Sequence, residues 1–152
     1  MAAIVSVVTA LSITIAVAPA AYAVAPEAAI ARGKTLLNTD AYGDFGCEDF
    51  VDFAYGRTTA NGIPHDSARS FYANLVAEGK GHSSLPAPRG ALVFSQGQYG
   101  YHVDISLGDG RYLSGGVQGL SPGWGNGKNI QVLPFANFGD YTLLGWAYAP
   151  WR

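Results

Sequence analysis

The chain opens on an unbroken apolar stretch. Positions 2–18 are apolar or small and carry no charge, Pro19 interrupts them, and Ala21-Tyr22-Ala23 follows. An apolar run that ends in a small-x-small tripeptide predicts a secretory signal peptide over residues 1–23, cut after Ala23, with Ala20 as the alternative site. Only the amino terminus supplies positive charge ahead of the run. The run is barely long enough to span a bilayer, so an uncleaved membrane anchor is the second reading. A buried core helix is the third.

Beyond residue 23 the polar and apolar positions predict one domain, 24–152. Residues 26–37 suit a helix, with Pro26 in the first turn and Asn38 at its end. In the next segment Cys47, Phe50, Val51 and Ala54 fall at i, i+3, i+4 and i+7, one face of a helix over 46–55. Asp44 is a candidate cap for its start, and Gly56 is a stop at its end. A third helix is expected from 66 or 67 to 78, closed by Gly79, with Ala68, Phe71, Tyr72, Leu75 and Val76 as its apolar stripe. Then the period shortens to that of strands. Segments 91–95, 101–107, 111–114, 130–135 and 141–148 read as strands, Gly108-Asp109-Gly110 as a hairpin turn, and 115–127 as a Gly-rich loop. Helices followed by an antiparallel sheet of about five strands is an α+β layout. No internal repeat interrupts it.

Composition narrows the function classes. The net charge is −2, and residues 1–23 hold none of it, so the remaining domain offers no electrostatic footprint for nucleic acid and no basic patch for anionic lipid. One cysteine stands in the whole sequence. In an exported chain a lone thiol is an unpaired liability, an intermolecular partner, a buried inert side chain or a working nucleophile.

The surroundings of Cys47 favour the last. A thiol in the first turn of a helix faces unpaired backbone N–H groups and the positive end of the helix dipole, which favour its thiolate. A neighbouring histidine would take the proton. His102 is the candidate base. It opens the 101–107 strand, where His102, Asp104 and Ser106 share one face and Val103, Ile105 and Leu107 the other. An imidazole on the more polar face, opposite a helix that begins with cysteine, suits a catalytic pair.

Three segments in order carry a family resemblance. Cys47-Glu48-Asp49-Phe50-Val51 with Ala54-Tyr55-Gly56 resembles the nucleophile helix of NlpC-type cell-wall peptidases and the related CHAP amidases. Gly90-Ala91-Leu92-Val93-Phe94 resembles their GDLVFF strand. The stretch from His102 to Tyr112 resembles their HVGIYLGDGRY hairpin. Together the motifs span about 47–116, roughly half of the expected mature chain. The resemblance implies a papain-like α+β fold without a cofactor, and hydrolysis of peptidoglycan stem peptides through an acyl-enzyme.

The chain departs from the family at three places. Gly46 and Glu48 flank the cysteine where the family usually has Asp and Ser, and Ala91 replaces the acidic residue of the strand motif. The family's third catalytic residue, usually His, Asn or Gln, falls on Ser114. Asp104 is the rival: if Gly108-Asp109-Gly110 is a three-residue turn, Asp104 lies opposite Ser114 on the face of His102. A residue not yet identified, or none, completes the alternatives.

Tyr42, Tyr101 and Trp124 are candidate substrate-contacting residues beside this pair. His65 and His82 have no metal-ligand spacing with another His, Cys or carboxylate, so no metal is expected. Trp146 and Trp151 read as packing residues. The leading expectation is therefore a secreted, monomeric, cell-wall-associated cysteine hydrolase, without stable membrane association once the signal is cut. The alternatives are a non-catalytic member that binds wall fragments, an exported effector or toxin using the same pair, and a structural secreted domain.

Overall fold

A computed structural model describes residues 24–57, 67–120, 122–134 and 140–150. The expected signal segment, His65, Phe135 and Trp151 lie outside the described residues.

Helix α1 (Pro26–Lys34) starts with proline in its first turn and carries Glu27 there, with Arg32 and Lys34 in its last turn, each charge matching the dipole. It ends three residues before the expected position. Leu36 and Leu37 bond three residues back instead of four, and Asn38 turns away at φ 63°. Helix α2 (Cys47–Tyr55) buries Cys47, Phe50, Val51, Ala54 and Tyr55, which includes the whole anticipated stripe. Gly56 closes it in the left-handed region at φ 62°. The N–H groups of Gly56 and Arg57 bond back to the carbonyls of Phe53 and Asp52, the paired closure of a Schellman motif. Asp44 does not cap this helix. The cap position is Gly46, without a side-chain bond, while the Asp44 carboxylate accepts from Asn129 at 3.0 Å.

Helix α3 (Ala68–Ala77) is capped by Ser67, whose hydroxyl accepts the Ser70 N–H at 3.2 Å. Its inward ridge is Ala68, Phe71 and Leu75, narrower than expected. Tyr72 is half-buried and donates its hydroxyl to the Leu144 carbonyl. Val76 lies on the solvent side, 49% exposed.

Five antiparallel strands follow: β1 (Ala91–Gly97), β2 (Gly100–Ser106), β3 (Tyr112–Ser114), β4 (Gln131–Leu133) and β5 (Thr142–Tyr148), in the spatial order β4-β3-β2-β1-β5. A short helix α4 (Val117–Leu120) occupies part of the stretch expected to be loop. Gly97 and Gly100 pair across a two-residue turn at Gln98-Tyr99, and Asp104 pairs with Ser114. The 108–110 turn thus has the length that places those two side chains opposite each other.

Registers and burial divide the sheet into two faces. Leu92, Phe94, Val103, Ile105, Leu113 and Ala147 share one cluster with Phe50, Val51, Phe71 and Leu75 from the helices. On the opposite face Ala91, Val93, Tyr112 and Trp146 form a second apolar cluster. That face also buries a polar row: Ser95, His102, Asp104, Ser106 and Ser114 are each at most 1% exposed. No helix among the described residues is long and apolar enough to cross a membrane.

Phe50 sits where α1, α2 and β3 meet. Its ring reaches within 3.1 Å of the place a side chain on Gly33 would take, and its Cβ within 2.5 Å of the same place on Gly115. It is fully buried. Phe50→Ala is expected to cost about 3–5 kcal/mol, the range for emptying a fully buried phenylalanine site. Urea unfolding measures it; a cost under about 1 kcal/mol would mean the site collapses freely.

Candidate active site

Cys47 is the first residue of α2, has no disulfide partner and is 5% exposed. Its approach to the sheet depends on where β3 stops. Asp104 pairs with Ser114, so the position across from His102 would fall to Gly116. There the chain has already left the strand, and the start of α2 enters the space. Gly116 adopts φ +68°, and a Cβ on it would lie 2.9 Å from the Gly46 nitrogen and 3.0 Å from the Cys47 nitrogen. Gly115 would likewise meet Phe50. Two residues without side chains therefore let the helix start lie against the end of β3.

This arrangement brings Cys47 to His102 although the two come from different faces of the sheet. α2 packs on the apolar face, and its first residue interacts with the imidazole. The expected placement of His102 on the polar face, with Val103, Ile105 and Leu107 in the core, is what the structure has.

His102 is fully buried. Its Nε2 lies 2.9 Å from Asp104 Oδ1 and 2.8 Å from Ser114 Oγ. Both candidates for the third position thus reach the same nitrogen. Burial pushes the imidazole down, but the charge and hydrogen bond of Asp104, together with those of Cys47, outweigh it and hold His102 up at about 10. Tyr141, which sequence reasoning did not single out, stands edge-on to the ring at 6.3 Å. Burial first, then the charges of Asp140 and Cys47, push its phenol up to about 12.

A groove of about 210 Å³ contains Cys47. Phe45 and Tyr99, both well exposed, border it with Tyr101, Glu48, Asp49 and Ser67. The Arg69 guanidinium stands 5.6 Å over the Tyr101 ring. Of the three residues proposed to meet substrate, only Tyr101 lines this groove. Tyr42 packs its ring against Phe53 at 5.9 Å. Trp124 packs on the cluster of Val117, Leu133 and Tyr141. Phe45, Glu48, Asp49 and Tyr99 were legible only as neighbours of the nucleophile helix and of the hairpin turn before His102. A larger hollow of about 360 Å³ lies at Lys80, His82 and Tyr148, away from the thiol. His82 stacks on Trp146 at 4.2 Å, which gives that histidine a packing role.

Glu48 follows the cysteine and shares a helix face with Asp52. Arg57 bridges the two carboxylates at 3.5 and 2.9 Å. Burial, then the Asp52 charge, push Glu48 up from 4.5 to about 7, Arg57 opposing in part. A carboxyl raised on folding holds a proton that the unfolded chain has already lost. Its contribution to stability is therefore complete below 4.5 and lost as pH rises through about 7. Glu48→Gln, neutral at every pH, is expected to flatten the melting temperature between pH 5 and 8 relative to wild type. Parallel melting curves for the two proteins across that range would refute this.

A comparison with known proteins gives no match, neither to a family model nor to a curated protein nor to a solved structure.

Proposed function

We propose that the protein is a secreted cysteine hydrolase with a papain-like fold, an endopeptidase or amidase that cleaves amide bonds in peptidoglycan stem peptides. The observation that carries the chemistry is the interaction of Cys47, at the head of α2, with the buried His102. The choice of substrate rests on the three ordered motifs.

In this reading the imidazole holds the proton of the pair and the sulfur attacks the amide carbonyl. The first N–H groups of a helix have no acceptor within it, and in this reading the N–H of Cys47 holds the oxyanion. His102 then returns the proton to the leaving amine, the C–N bond breaks, and a thioester remains. Water, deprotonated by the same imidazole, releases the acid and regenerates the thiol. The groove beside Cys47 receives the peptide, with Tyr99 and Tyr101 along its side.

The test is digestion of intact and pre-trimmed peptidoglycan by residues 24–152, with products identified by mass spectrometry. Defined stem-peptide fragments support the reading, and their masses name the bond. No release from either material, with a thiol that alkylates no faster than free cysteine, removes catalysis and leaves wall binding as the function.

A further inference from the structure

Two oxygens contend for His102 Nε2, and their chemistry is unequal. Asp104 Oδ1 and Ser114 Oγ stand 2.9 and 2.8 Å away. An ionised carboxylate has only lone pairs to offer, so the hydrogen between it and the ring has to come from Nε2. A hydroxyl accepts or donates. Acting alone, Ser114 could donate to Nε2 and leave the proton of a neutral ring on Nδ1.

We infer that Asp104, two residues along the same strand from the base, is the positioning residue of this site, and that Ser114 is a secondary acceptor. The inference rests on Cys47 and His102 being nucleophile and base. It moves the third role from the position matching the family motif to one within β2 itself.

Further observations support it. His102 and Asp104 both lie at 0% exposure, where an ionic hydrogen bond is little screened by water. The second carboxylate oxygen, Oδ2, has no hydrogen-bond partner among the described residues, so none of them draws the carboxylate away from the ring. Antiparallel neighbours fix both strand positions, with Val93 on one side of Asp104 and Ser114 on the other. The charge of Asp104 also acts to raise the imidazole, together with that of Cys47. The titratable groups facing this pair are Cys47 and Tyr141 at the ring and Tyr112 at the carboxylate.

Proton and ¹⁵N resonances of His102 test the assignment in the full chain, without substrate. Wild type and Ser114→Ala are expected to show a downfield Nε2–H proton that Asp104→Asn loses. Alkylation of Cys47 by iodoacetamide between pH 6 and 8 is expected to slow about tenfold or more in Asp104→Asn, the effect of one unit in the coupled titration. Ser114→Ala should stay within about threefold of wild type, well short of a one-unit effect. A wild-type ring without a proton on Nε2 overturns the inference. So does a folded Asp104→Asn with the wild-type alkylation profile, or a Ser114→Ala that alone loses it. If Asp104→Asn does not fold, the wild-type and Ser114→Ala spectra decide. A protein that leaves wall peptides intact yet shows the Asp104-dependent proton loses the proposed function and keeps this assignment.

Discussion

Cys47→Ala is expected to abolish release of stem peptides, with a loss on the order of 10⁶ in kcat. His102→Ala should lose about as much, and the double variant little more, because a thiol without its base and a base without its thiol are equally idle. The fold should survive the cysteine change. The side chain is small, forms no disulfide and sits at the margin of the core, so melting should move only a few degrees. Activity and thermal unfolding measured on the same preparations separate the two effects. A Cys47→Ala protein that still releases defined fragments would show that the thiol is not the nucleophile.

The second large effect is expected from a residue that carries no chemistry. Gly116→Ala places a methyl group where the nitrogens of Gly46 and Cys47 lie 2.9 and 3.0 Å away. Those atoms are backbone, so the helix start has to move. A displacement near 1 Å at a reacting atom costs about 10²-fold in rate. The alanine also has to hold φ +68°, a strain of roughly 1–2 kcal/mol for a residue with a Cβ. Gly110→Ala is the control: it has φ +78° and nothing within 4 Å. Both variants carry the backbone strain, Gly116→Ala adds the cost of displacing the helix start, and only Gly116→Ala should lose activity. Equal kcat values for the two would mean that the approach of α2 to β3 is not critical.

Much of this arrangement was legible from local periodicity. The stripe of Cys47, Phe50, Val51 and Ala54 identified α2 and placed the thiol at its head, and Gly56 marked its end. Alternation along 101–107 assigned faces to His102 and Val103. The turn length between Asp104 and Ser114 gave their pairing. What escaped depended on distant segments. Asp44 has the chemistry of a helix cap, yet Asn129, far along the chain, claims its carboxylate. Tyr141 reaches His102 from a segment remote in sequence, with no local signal to mark it. Helix α4 formed inside a Gly-rich stretch, where Gln118 bonds to Asn129, Gly123, Trp124 and Lys128. The choice between Ser114 and Asp104 could not come from spacing, because the pairing register sets both on the same nitrogen.

The bond between Asp44 and Asn129 belongs to a wider clasp. Asn38 and Thr39 exchange backbone bonds with Ile130, Lys128 pairs with Asp40 at 2.8 Å, and Asn126 bonds to Asn38. The strip just before the nucleophile is thus held by a strip that leaves the ribosome roughly ninety residues later. Contacts this distant along the chain carry a large loop-closure entropy and tend to form late. A nascent or half-folded chain can contain α2 and still hold its thiol away from its base. The clasp therefore ties the placement of the thiol to contacts of high sequence separation, the kind that slow folding.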